Sequence, residues 1–226
     1  MSRTPDDFEL PPLGGGLLDY VMRHSIGDDP ILAELSHVTA ERTGGYAGMQ
    51  LSHESAALLA WLAGLLQPTV AVEIGTFTGT SALAVARALP PGGKLLAFDL
   101  SEEWVGIGRP FWERAGVADR IEVTIGPAID GVSALATERH VGLAFIDADK
   151  DGYRAYVEAL APRMVANGVI AVDNTLWGGS VARPDADPED TNGVALRAFN
   201  DWVAADERFD SMILPLGDGL TLIRVR

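Results

Sequence analysis

From Thr69 onward, apolar residues come in short runs separated by longer mixed stretches. The runs Val70–Ile74, Leu95–Leu100, Ile121–Ile125, Val141–Ile146 and Val169–Val172 have the length and composition of buried strands. Between them lie segments of helical length and composition, Ser81–Leu89, Glu102–Ala115 and Tyr153–Met164. Strand alternating with helix predicts a mostly parallel sheet covered on both faces. Two last β-like runs, Phe209–Leu214 and Leu220–Val225, are separated only by Pro215–Gly219. A link that short predicts a hairpin, so an antiparallel pair is expected to close one edge of the sheet.

Upstream of the first strand the spacing is helical. Asp19–His24 and Pro30–Thr43 fit a helical period, the second with Ile31, Leu32, Leu35 and Val38 along one face. Ser52–Leu66 is the strongest helix, with Ser52 as N-cap, His53 and Glu54 in the first turn and Pro68 beyond its end. The expected organisation is one α/β domain spanning 1–226. Its parts are a flexible tail (1–17), N-terminal helices forming a cap (18–67) and a doubly wound seven-stranded core (68–226).

Composition narrows the function classes. Of 226 residues, 47% are hydrophobic and 22% charged, the balance of a globular protein with a full core. Cysteine is absent, which excludes a disulfide framework, a thiolate nucleophile and a Cys-ligated zinc. Acidic residues number 32 against 17 basic, a net charge of −15. A surface of that sign repels phosphate backbones, so no nucleic-acid partner is expected. There is neither a basic start followed by an apolar run nor a stretch of roughly 18–20 apolar residues. A cytoplasmic protein without membrane association is expected.

In open α/β sheets ligands collect at the carboxyl ends of the strands. The first strand runs into Glu73-Ile74-Gly75-Thr76-Phe77-Thr78-Gly79-Thr80-Ser81. Gly75 and Gly79 permit a tight turn and a close backbone approach, and the following helix offers free N–H groups. Asp99 ends the second strand 24 residues after Gly75, the spacing at which an acid grips a ribose diol. A pyrophosphate-binding turn carries Gly-x-Gly-x-x-Gly. Here Phe77 and Thr80 stand at the second and third glycine positions, which disfavours a nicotinamide dinucleotide. Glu73 suits the ammonium of an amino acid. S-adenosylmethionine combines an adenosine and an ammonium without a phosphate.

The fourth strand ends in Asp147-Ala148-Asp149-Lys150-Asp151 and the fifth in Asp173-Asn174. Adjacent parallel strands would bring Asp147, Asp173 and Asn174 together as hard oxygen donors suited to Mg²⁺, or to a related divalent ion such as Mn²⁺ or Ca²⁺. Lys150 beside them is a candidate general base.

The motifs EIGTFTGTS (73–81), IDADK (146–150), DNTLWG (173–178) and LGDGLTL (216–222) resemble the cation-dependent O-methyltransferases of the caffeoyl-CoA and catechol O-methyltransferase type. The similarity runs from about Leu18 onward and implies a Rossmann-like methyltransferase fold. By this resemblance Asp147, Asp173 and Asn174 are the metal ligands and Lys150 the base. Met49, Glu73, Gly75, Thr76, Ser81, Asp99, Ala128 and Asp147 hold the cofactor, and Trp177 lies near the acceptor. It also implies a homodimer, for which the apolar faces of Pro30–Thr43 and of the final strands could supply the contact.

Two departures bear on the acceptor. Plant-type members often carry Asn or a related polar group where Gly152 stands. Met1–Gly45 holds Arg3, Arg23 and Arg42 without the basic cluster that a CoA tail needs. Together they favour a free, catechol-like phenolic small molecule. The rival readings are a tRNA-modifying O-methyltransferase on the same scaffold, a non-catalytic cofactor-binding module and a nucleotide-dependent dehydrogenase.

Overall fold

The computed structural model describes residues 16–25, 29–183 and 189–226. The expected tail lies almost wholly outside them. Three helices open the described chain: α1 (Gly16–Ser25), α2 (Pro30–Thr43) and α3 (His53–Leu66). Ser52 caps α3 by accepting the Ser55 N–H, and Gln67 ends it in the left-handed region (φ 49°) before Pro68, as its sequence predicts.

The core then alternates β1 (Val70–Ile74), α4 (Thr80–Ala88), β2 (Lys94–Asp99), α5 (Glu102–Arg114), β3 (Ile121–Ile125), α6 (Ala128–Ala134), β4 (Val141–Ile146), α7 (Tyr153–Leu160) and β5 (Met164–Val172). It closes with α8 (Thr191–Ala205), β6 (Phe209–Leu214) and β7 (Leu220–Val225). The seven strands lie in the order β3-β2-β1-β4-β5-β7-β6. β1 to β5 pair in parallel, while β7 pairs antiparallel with both β5 and β6. The hairpin thus closes the edge as predicted, but its second strand is the one that docks on the sheet.

Alternation along the central strands builds two cores. Leu143 and Phe145 face one side, where they join Leu59, Leu83 and Trp112 from the helices α3, α4 and α5. Ala144 and Ile146 face the other, with Tyr153, Leu160 and Phe199 from α7 and α8. α2 lies over α4 and α5. Leu32 and Leu35 are its apolar contacts, Thr39 donates to Thr78 (2.8 Å), and the ion pairs Asp29–Arg87 and Glu34–Arg114 flank it. Such half-exposed pairs contribute little, so the buried leucines hold the cap in place. No helix among the described residues is long and apolar enough to cross a membrane.

Three differences from the sequence expectation have local causes. β5 begins at Met164 rather than Val169, because Asn167 takes a positive φ (63°) and lets Asn167-Gly168, a turn signal, sit within a strand. The expected helix to Met164 ends at Leu160, with a single 3₁₀ turn over Ala161–Arg163 whose Pro162 provides no N–H. α6 and α8 have no counterpart in the sequence reading. α6 is only seven residues long, and α8 opens with Thr191-Asn192-Gly193, which reads as loop until Asp190 is seen to cap it.

Candidate active site

The carboxyl ends of β1, β2, β4 and β5 open onto one cavity of about 970 Å³, enough for a nucleoside-bearing ligand beside a small acceptor. Every candidate residue read from the sequence borders it except Glu73.

At the end of the cavity formed by β1 and β2 the backbone does the positioning. Gly75 has φ +86°, and a Cβ there would lie 1.9 Å from the Asp147 carbonyl oxygen, so the ends of β1 and β4 touch because that residue is glycine. Asp99 accepts the N–H groups of Thr76 (2.8 Å) and Phe77 (2.7 Å) on one carboxylate oxygen, and that of Ser101 (2.7 Å) on the other. It therefore ties the glycine turn to β2 while still facing the cavity. Leu100, 76% exposed, and Ala128 flank it on the wall. Met49 reaches the same wall from the 3₁₀ segment Gly44–Met49, which Gln50 anchors by donating to Thr80 Oγ1 (2.8 Å).

Glu73 sits one layer below. Its carboxylate accepts from Thr76 Oγ1 (3.2 Å) and is also hydrogen-bonded by Ser81, both of which line the cavity. Its Oε1 is buried without a partner. Burial, in the main, pushes its pKa up to about 7. Glu73 thus stands behind Thr76 and Ser81, whose side chains lie between it and the cavity.

At the other end side chains dominate. Asp147 and Asp173 follow neighbouring strands, with the Asp173 N–H donating to the Ile146 carbonyl (2.9 Å). Lys150 Nζ donates to Asp147 Oδ1 (3.0 Å), Asn174 Oδ1 (2.7 Å) and the Tyr153 hydroxyl (2.6 Å), and the Tyr153 hydroxyl in turn donates to the Asp173 carbonyl (3.0 Å). Asp173 is 5% exposed and its Oδ1 has no partner. Burial first, then the Asp147 charge, raises its carboxyl to about 7.

Among the described residues no three His, Cys, Asp or Glu side chains group as a metal site. The set here is two carboxylates and an amide oxygen, all hard donors. Asp173 Oδ1 is buried without a hydrogen-bond partner, which a divalent cation would satisfy, so the residues fit one.

Residues missed in the sequence complete the walls. Trp104, in the first turn of α5, packs edge-on against Phe77 (5.0 Å between centroids) and against Tyr46 (5.3 Å). Its signal was an aromatic five residues after Asp99. Tyr156 donates to Asp149 (2.6 Å), and a Cβ at Gly152 would lie 2.6 Å from the Tyr156 ring, so this pair accounts for the glycine at 152. Trp177 (φ +48°) donates its indole N–H to Asp190 (3.0 Å), which also accepts from Ser180 and Gly193. Asp218, inside the LGDGLTL motif, accepts the Gly178 N–H (2.7 Å) on its side chain and the Leu176 N–H (2.9 Å) on its carbonyl. Nothing in the sequence alone ties that hairpin turn to Trp177.

A family model described as O-methyltransferase matches residues 22–226. Tricin synthase 2 of Oryza sativa subsp. japonica is 39% identical over 87% of this chain and 70% of its own length. The caffeoyl-CoA O-methyltransferase of Eucalyptus gunnii is 36% identical over 92% and 86%. The SAH-bound Podospora anserina methyltransferase PaMTH1 superposes with a TM-score of 0.85 at 28% identity, covering 97% of this chain and 99% of that one. A glycine turn, a ribose-height acid and an oxygen-donor cluster facing one cavity thus occur in a chain that belongs to the O-methyltransferase family.

Proposed function

We propose that the protein transfers the methyl group of S-adenosylmethionine to one hydroxyl of a catechol-like small molecule, with a divalent cation such as Mg²⁺ in the Asp147–Asp173–Asn174 cluster. The observation that carries this reading is the unpaired, buried Asp173 Oδ1 beside Asp147, in the same cavity as the Gly75 turn and Asp99. The SAH in the Podospora relative supports the choice of cofactor.

In the transfer an oxygen lone pair of the acceptor forms the new O–CH₃ bond, the S–CH₃ pair stays on sulfur as the thioether, and the hydroxyl proton leaves. A bound divalent cation would fix two adjacent oxygens and lower the pKa of the one that attacks. Asp99 and the Thr76–Ser81 turn hold the nucleoside end, with Glu73 keeping Thr76 and Ser81 in place. Asp147, Asp173 and Asn174 aim the oxygens, which supplies the orientation on which most of the acceleration rests. As an ammonium Lys150 holds the Asp147 and Asn174 oxygens; once it has lost one proton to solvent, its free lone pair takes the hydroxyl proton of the acceptor. Trp177 and Tyr156 wall the aromatic ring.

The test is turnover of a panel of vicinal diphenols with labelled S-adenosylmethionine, with and without Mg²⁺. Methylation that chelator abolishes is expected. Asp173→Ala should lose at least about 10³-fold in kcat while cofactor affinity stays within a few-fold, since such removals act mainly on the reacting step. Full activity of that variant under chelator would refute the metal assignment.

A further inference from the structure

Asn174 takes φ +59°, in the left-handed region that a non-glycine residue keeps only where its surroundings enforce it. In that conformation its Oδ1 meets Lys150 Nζ (2.7 Å), which also donates to Asp147 Oδ1 (3.0 Å). The next residue, Thr175, is wholly buried with all its polar atoms engaged. Its N–H and its hydroxyl both donate to the Gly219 carbonyl (3.0 and 3.1 Å), and the hydroxyl accepts from Thr221 Oγ1 (2.9 Å). Its carbonyl accepts from Nδ2 of Asn200, a residue of α8 (2.8 Å). The first peptide plane after Asn174 is therefore held by the hairpin tip. The second is held by the hairpin tip on its N–H, through Leu176 and the Asp218 carbonyl (2.9 Å), and by Asn200 on its oxygen.

Asn200 does not border the cavity. Its Oδ1 is buried without a partner, so its amide works through Nδ2 alone. Turning the amide over would set Oδ1 against the Thr175 carbonyl, one acceptor facing another, so the bond to Thr175 fixes its orientation. An amide oxygen buried and unpaired costs stability, a cost that a leucine of similar size would not carry. What asparagine adds over leucine at this place is the N–H on Thr175.

We propose that Asn200 is a positioning residue for Asn174. Through the Thr175 carbonyl it holds the left-handed turn that sets the Asn174 amide oxygen at the point it shares with Asp147 Oδ1. This rests on the metal reading above and adds to it a residue outside the cavity.

The experiment measures Mn²⁺ binding to the full chain, read as free Mn²⁺ by electron paramagnetic resonance, with SAH binding read by calorimetry on the same samples. Asn200→Leu should weaken Mn²⁺ binding about 10- to 100-fold, the usual effect of removing a group that orients a ligand, and leave SAH affinity unchanged. Asn174→Gly loses the amide oxygen but accommodates the positive φ, and it should weaken Mn²⁺ binding at least as much. On that background Asn200→Leu should add nothing, because two changes that act through one group do not sum. Asn200→Ser, too short to reach Thr175, is the second variant should leucine not fit. Unaltered Mn²⁺ affinity in a folded Asn200 variant, whatever its melting temperature, would overturn the proposal, as would a full further loss on the Asn174→Gly background. Failure of both Asn200 variants to fold would make the residue a structural one and overturn it as well. An unsubstituted chain that binds SAH but no Mn²⁺ would instead remove the metal reading, and this inference with it.

Discussion

The two ends of the cavity are built by different means. At the nucleoside end, Gly75, the Thr76 and Phe77 amides and Asp99 form a unit in which main chain meets main chain or a carboxylate, and Ser101 caps the next helix. At the other end, Lys150 and Tyr153 from the stretch after β4 meet Asn174 and Trp177 from the stretch after β5, held by side-chain bonds. Asn174 and Trp177 both take a positive φ, a conformation that costs a non-glycine residue energy and persists where the surroundings enforce it. The first end is specified by backbone shape and tolerates little change. The second is specified by side-chain partners and can be retuned one contact at a time.

Three substitutions would break or sharpen that contrast. The largest effect is expected from Gly75→Ala. Its Cβ has no room beside the Asp147 carbonyl and its φ is +86°, so loss of about 3 kcal/mol or more, or failure to fold, is expected in denaturant titration. A near-neutral Gly75→Ala would show that this turn is not the rigid element described.

Glu73→Gln comes next, read as stability against pH. The folded-state pKa of Glu73 is raised from 4.5 to about 7, so the folded protein binds more protons than the unfolded chain between those values. Stability therefore falls as pH rises through that window. The penalty is complete above about 7 and absent below about 4.5, and it amounts to about 3 kcal/mol at most. Asp173 is shifted in the same direction, so the substitution should remove part of the slope, stabilising the protein at pH 8 and leaving it unchanged at pH 4. An unaltered slope would mean that Glu73 does not carry a buried charge.

The smallest effect is expected at Asp190, which orients Trp177 without touching the cavity. Asp190→Ala should raise the KM for the acceptor about fivefold, the loss of roughly one ordinary hydrogen bond, with cofactor affinity unchanged. Asp190→Asn, which still accepts the indole N–H, should recover most of it. Equal losses in both, or a change in cofactor affinity, would mean that Asp190 does not act through Trp177.

This contrast also explains what could be read from the residues in order. The five parallel strands, the Gly75 turn, Asp99 and the acids ending β4 and β5 are local patterns, and alternation and turn chemistry are written locally. Glu73 sits on the right strand, but whether a strand residue faces a cavity or a layer beneath it depends on the Thr76 and Ser81 hydroxyls above. Asp218 and Asp190 became visible only in three dimensions, since they reach Gly178 and Trp177 across 40 and 13 residues of chain. Homodimer formation and a cytoplasmic setting remain sequence expectations, to be tested by sedimentation and fractionation.

The hairpin tip has a consequence for biosynthesis. Residues 218 and 219 clasp residues 175–178 through four main-chain and side-chain bonds, and Gly219 packs where any side chain would strike Leu176. Because β7 inserts beside β5, a nascent chain emerging from the ribosome can seat the nucleoside end as soon as β4 is made. It must wait for the last strand before residues 175–178 meet the hairpin tip that holds them.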